Sequence, residues 1–145
     1  MKWKVQSVDK ALNYLSLAKK ARLIELGEEP VGAAARAQHA RLVIVASDAG
    51  DHTWRRAQSF VAGTQQLLVQ APFTKDELGQ ATGRTSLALA AITDPALALA
   101  FVKALDQPEK YRAALESLQK RTQRVQQRQA EAKAHRRNIQ KGKKK

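Results

Sequence analysis

"LVIVAS", residues Leu42 to Ser47, is a continuous apolar run rich in β-branched side chains. Runs of this kind are typical of a strand buried on both faces. Such a strand needs packing layers above and below it, and the flanking sequence supplies candidates on either side. Upstream, Val8, Ala11, Leu12, Leu15 and Ala18 recur at helical spacing, so Val8 to Arg22 reads as an amphipathic helix with Ser7 as its cap. Leu23 to Leu26 is a short extended run ended by Gly27. Pro30 then suits the first turn of a helix through "AAARAQ" to about His39, because a missing N–H costs nothing there.

The alternation continues downstream. Asp51 to Ala62 reads as a helix with Trp54, Ala57 and Val61 on one face, Gly50 turning the chain and Asp51 capping. Gln66 to Gln70 is a strand ended by Pro72, and Thr74-Lys75-Asp76-Glu77 matches a capping box for a short helix that stops at Gly83. Ser86 to Thr93 is a further buried strand, and Asp94-Pro95 opens a helix through Leu105. Strands alternating with helices through short turns indicate an α/β fold with helices on both faces of a sheet. Asp106 to Pro108 breaks the chain. Tyr111, Leu115, Leu118 and Val125 then hold heptad-like positions, after which the apolar signal fades. Beyond about Gln126 there are helix formers without a face to bury, and "KGKKK" at the end is expected to be disordered.

A chain of 145 residues suits one domain of about 100 residues plus an appendage. The absence of cysteine excludes disulfides, thiolate zinc sites and cysteine nucleophiles. No apolar run approaches the roughly 20 residues of a membrane span. "MKWKVQSVDK" has no apolar stretch after its lysines and is not read as a secretory signal, so a cytoplasmic protein is expected. The net charge is +13 and very unevenly placed. From Gln119 onward there are 11 Lys and Arg against one acid, Glu131, whereas residues 1 to 118 hold 15 basic and 12 acidic groups. A nearly balanced globule therefore carries a cationic tail, which suggests a polyanionic partner, nucleic acid or an anionic membrane, and favours nucleic acid over a tail kept for solubility.

Nothing in the sequence has the pattern of a catalytic or metal site. His39, His52 and His135 lie far apart and in no metal-ligand spacing. Asp48-Ala49-Gly50-Asp51-His52 follows a buried strand, yet a turn and a helix start account for it. Gly79 to Thr85, "GQATGRT", has the wrong glycine spacing for a phosphate-binding loop and leads from helix to strand, the reverse of that motif. No enzyme, cofactor, metal or small-molecule substrate is expected. Phosphate contacts would come from the tail, through Lys120, Arg121, Arg124, Arg128, Lys133, Arg136 and Arg137. Trp3 and Tyr14 lie near the start, and Trp54 and Phe60 read as core, so a base-stacking platform is not expected.

Four segments in order, "LSLAKKARLIELGEE" (15–29), "RLVIVASDAGDHT" (41–53), "TKDELGQATGR" (74–84) and "LAAITD" (89–94), resemble bacterial members of the large-subunit ribosomal protein seven-Ae family, the pelota-type kink-turn-binding domain. The resemblance is greatest to the YlxQ-type group and covers about Val8 to Leu105. It implies a three-layer α/β/α sandwich with a small mixed sheet over residues 1–105, followed by a basic extension over 106–145, helical or disordered. It also implies a non-catalytic RNA binder, with structured RNA, ribosomal or containing a kink-turn, as partner.

The family reads RNA with the turn entering the second helix, patterned Gly-x-Asn-Glu-x-x-Lys, and with the loop before the last strand. The resemblance places Gly27, Glu28 and Glu29 in that turn, and Arg84, Thr85 and Ser86 in that loop. Glu29, Pro30 and Ala33 stand where the family has Asn, Glu and Lys. A carboxylate repels phosphate, Pro30 lacks an N–H and Ala33 lacks a cation, so affinity is expected to move to Lys19, Lys20, Arg22, Arg36 and Arg84, with the tail adding to it. A monomer in isolation is expected. Two other readings stay open: an adaptor docking on an acidic protein, and non-specific adhesion to any polyanion.

Overall fold

The computed structural model describes the backbone of residues 2 to 143 and the side chains of residues 10 to 139. The run at Leu42 forms strand β2 (Leu42–Val45), every residue of which is buried. Around it lie β1 (Ile24–Leu26), β3 (Leu67–Gln70) and β4 (Leu89–Ile92), in the order β1-β4-β2-β3. β2 and β3 are parallel, with Leu42 opposite Leu67, while β4 runs antiparallel to both β1 and β2. Because side chains alternate along a strand, Leu42 and Ile44 face one layer while Val43 and Val45 face the other.

On the first face pack α1 (Lys2–Lys20), α4 (Lys75–Thr82), α5 (Pro95–Ala104) and the start of α6 (Arg112–Lys143). Leu15, Leu78, Phe101 and Leu118 are fully buried there, and the Phe73 and Phe101 rings meet at 6.4 Å in a tilted pair. Each such side chain contributes about 1.5–3 kcal/mol by leaving water. The second face holds α2 (Glu28–Arg36) and α3 (Asp51–Val61), whose Val31, Ala35 and Ala57 cover Val43, Val45 and Ala91. The result is the expected three-layer α/β/α sandwich, completed by Tyr111 just before α6 and by Ala114 and Leu118 within it.

Local signals set most boundaries. Thr74 Oγ1 accepts from the Glu77 amide at 3.2 Å while Glu77 Oε1 accepts from the Thr74 amide at 3.0 Å, closing the capping box of α4. Gly83 ends that helix in the left-handed conformation at φ 76°. Asp94 Oδ2 accepts from the Leu97 amide at 2.9 Å ahead of Pro95 at the start of α5.

Three expectations are corrected. Ser7 does not cap α1; it lies inside the helix, whose backbone begins at Lys2 because no breaker precedes Ser7. The side chains of Trp3, Ser7 and Val8 lie outside the described residues. Asp51 does not cap α3 either: Gly50 is the cap residue, and Asp51 enters the first turn, where its charge favours the helix dipole. Finally, the backbone at Lys141 to Lys143 is helical rather than disordered, α6 carrying on through Gly142 from the helix formers before it; residues 144 and 145 lie outside the described residues. A continuous helix of 32 residues is about 48 Å long. From Gln123 to Ile139 every side chain on it is exposed.

Candidate nucleic-acid interface

The chain reaches the end of β1 and must turn at once into α2. Gly27 does this at φ 93°, a conformation that L side chains rarely adopt. Its amide donates to Leu89 O at 2.9 Å, which ties the turn to the start of β4. The segment leading into β4 is held equally closely. Arg84 N donates to Gly79 O at 2.7 Å, and Leu87 N to Lys75 O at 2.9 Å. Gly79 is required for this approach, because a Cβ there would stand 2.8 Å from Arg84 O and from Ser86 N. The Arg84 guanidinium comes to rest beside Gly27, its Nη1 at 3.5 Å from where a Cβ would project. Two segments far apart in sequence, Gly27 to Glu29 and Arg84 to Ser86, thus form one continuous surface, and Glu28, Glu29, Arg84, Thr85 and Ser86 are exposed on it.

The neighbouring cations differ in their freedom. Lys19 donates through Nζ to Thr82 O, where it satisfies a carbonyl at the C-terminal end of α4, the end of a helix that favours positive charge. Lys20 and Arg22 are exposed just beyond it. Arg36 lies along α2, its Nη1 at 3.4 Å from where a Cβ on Gly32 would stand. Arg56 went unnoticed in the sequence. Its Nε donates to Glu28 Oε1 at 2.7 Å and its guanidinium lies 5.3 Å from the Phe60 ring centre. Gly32 brings α2 close enough for Phe60 to pack against it, at 3.0 Å from a would-be Cβ. One of the two carboxylates of the turn is therefore already neutralised from within the fold, and Glu29 alone is left to oppose an incoming phosphate. No spacing in the sequence could have disclosed this pair, since it depends on how α2 packs on α3.

The tail residues lie elsewhere. Lys120, Arg121, Arg124 and Arg128 are on the part of α6 next to the globule, and Arg136 and Arg137 are on its exposed outer part. Arg121 donates to Gln65 O at the start of β3. Burial first, then the charges of Arg41 and Arg124, hold the Arg121 guanidinium below its ordinary pKa. Arg41, at the start of β2, donates its amide to Ile92 O at 2.9 Å. Gly27 adjoins Leu89 and Arg41 adjoins Ile92, so the turn and this arginine group lie at opposite ends of β4. Three residue steps separate them along the strand, about 10 Å. The residues proposed from sequence thus divide into two basic regions.

His39, His52 and His135 are exposed and apart, and among the described residues no cluster of His, Cys, Asp or Glu is placed to hold a metal ion. Among the described residues no helix is long and apolar enough to cross a membrane.

No family model matches this chain, and no curated protein matches it in sequence. Its fold does match solved structures. A protein of unknown function from Bacillus halodurans superimposes with a TM-score of 0.62 at 28% identity, over 68% of this chain and 98% of that one. About a third of the present chain therefore has no counterpart in it. The 15.5 kD RNA-binding protein of Giardia lamblia superimposes with a TM-score of 0.57 at 20% identity, over 71% of this chain and 88% of that one. At that identity the likeness is one of fold: this chain has the α/β sandwich architecture on which the Giardia protein is built.

Proposed function

We propose that the chain is a non-catalytic, cytoplasmic RNA-binding protein of the ribosomal seven-Ae type, close to the YlxQ-type group. It binds structured RNA at the surface formed by Gly27 to Glu29 and Arg84 to Ser86. The observation that carries this reading is the joining of those two segments through Gly27, Gly79 and Arg84, since a shared surface is what a two-part RNA reader requires. Lys19, held beside Gly83, adds a cation at its border, and α6 carries a separate cationic area. The naming of the Giardia protein as RNA-binding agrees with this reading without carrying it. The charge pattern adds a physical expectation: each phosphate neutralised releases counterions, so affinity falls linearly with salt on logarithmic axes.

Fluorescence anisotropy with an RNA hairpin carrying a kink-turn, a plain RNA duplex and a DNA duplex of equal length tests the reading. RNA is expected to bind tighter than DNA, with a steep salt slope. Equal affinity for all three would replace this reading with general polyanion adhesion, and co-purification of a protein partner that survives ribonuclease would favour an adaptor. Glu29→Asn restores the residue type found in most of the family and removes the unpaired carboxylate. It is expected to raise the ratio of kink-turn to duplex affinity. An unchanged ratio would mean that the turn does not read bases.

A further inference from the structure

At the end of the sheet opposite the turn, the starts of β2 and β3 and the side of α6 enclose a surface pocket of about 290 Å³. Four arginines line it, Arg41, Arg121, Arg124 and Arg128, together with Gln65 and Gln66. The sites from which they project are fixed by the fold. Gln66 is buried; its Oε1 accepts from the Ala40 amide at 3.0 Å and its Nε2 donates to Ala35 O at 3.1 Å, which anchors the segment that carries Arg41. Arg121 is attached to Gln65 O, and Arg124 and Arg128 follow at one-turn intervals, so all three project from the same side of α6.

Charge in this pocket is unopposed. No carboxylate lines it, and among the described residues none of the four arginines forms an ion pair. Asp94, next to the lining residue Pro95, is engaged in capping α5. Arg41 Nε is buried and has no hydrogen-bond partner among the described residues. Burial first, and then the neighbouring charges of Arg41 and Arg124, disfavour the charged form of Arg121. An anion would relieve it, and guanidinium forks match the oxygens of a phosphate two at a time.

We propose that this pocket binds a backbone phosphate of the RNA, a second contact at the other end of β4 from the turn. This rests on the RNA-binding reading above. A phosphate within a chain fits better than a free one, because the pocket opens onto α6, whose exposed Lys133, Arg136 and Arg137 continue the cationic path outward with only Glu131 against them.

The test uses the full chain labelled with ¹⁵N at arginine Nε, titrated separately with the kink-turn hairpin and with inorganic pyrophosphate, beside binding measurements on Arg41→Gln, Arg124→Gln and Arg128→Gln. With the hairpin, the Arg41 Nε–H resonance is expected to shift. Each variant is expected to lower the magnitude of the salt slope by about one and weaken binding several-fold for every RNA sequence. Arg124 and Arg128 are exposed, so their variants fold even if Arg41→Gln does not, and a thermal melt of each checks this. Variants that bind like the wild type, while Arg84→Gln weakens binding, would overturn the pocket and leave the RNA reading standing. A wild-type chain that binds no RNA would overturn both. A resonance that responds to pyrophosphate but not to RNA would make this a small-anion site and overturn the proposal.

Discussion

A methyl group on Gly79 would meet two backbone atoms, Arg84 O and Ser86 N, neither of which can rotate away. Gly79→Ala is therefore expected to cost about 1–3 kcal/mol, as overpacking does, and to displace Arg84 from Gly27. A thermal melt reads the first effect and RNA affinity the second; an unaltered melting temperature would mean that the loop yields freely. Tyr111 offers a test by pH. Its buried hydroxyl donates to Gln70 O at 2.8 Å, and burial raises its pKa above the ordinary value. The fold thus prefers the neutral phenol. That contribution is complete below about pH 10, the unfolded tyrosine value, and is lost as pH rises through the higher folded value. Tyr111→Phe should cost about 1 kcal/mol at neutral pH and make stability fall less steeply above pH 10, as denaturant melts at several pH values would show. What was legible at this scale was local. Thr74 with Glu77, Asp94 with Pro95 and Gly83 act on their own helix and could be read directly. Glu28 with Arg56, Lys19 with Thr82 and Arg41 with Arg121 could not, because each pair meets only through packing.

Among the elements, α6 divides into two physical regimes. Ala114 and Leu118, with Tyr111 just ahead of the helix, belong to the core, and this half was foreshadowed by its apolar spacing. From Gln123 to Ile139 every side chain is exposed, and helix propensity is the main support. Amide hydrogen exchange should accordingly be slow through Leu118 and fast beyond about Gln126 in the free protein, then slow in the outer half when RNA is added. Fast exchange in the outer half with RNA bound would show that α6 carries no part of the contact. The strands were found by composition, β2 most clearly, whereas their order was not open to inspection. Antiparallel pairing of β4 with both β1 and β2 depends on which connections cross the sheet, and no residue in "LAAI" records it.

For the molecule as a whole, the four-stranded sheet keeps two basic regions apart, one at each end of β4. RNA that touches both must span the length of β4 rather than lie against one loop. Shortening the chain separates affinity from stability. Ending it after Gln126 removes no described residue that is buried, so the melting temperature should hold while the salt slope flattens. Ending it after Leu105 also removes Tyr111, Ala114 and Leu118 from the core, and since loss of one large buried side chain costs about 2–5 kcal/mol, the shortened domain should melt far lower or not fold. Equal melting temperatures for the two would mean that α6 is an appendage throughout.

The contacts of Arg121 in α6 with Gln65 O and of Tyr111, just before α6, with Gln70 O have a further meaning, because β3 is the outermost strand on its side of the sheet. An edge strand without cover is a template on which another copy can add its own strand. Tyr111 and Arg121 bracket β3 at its two ends, so the inner half of α6 shields the protein from itself. Loss of that shield should appear as concentration-dependent self-association before any loss of RNA affinity is measurable.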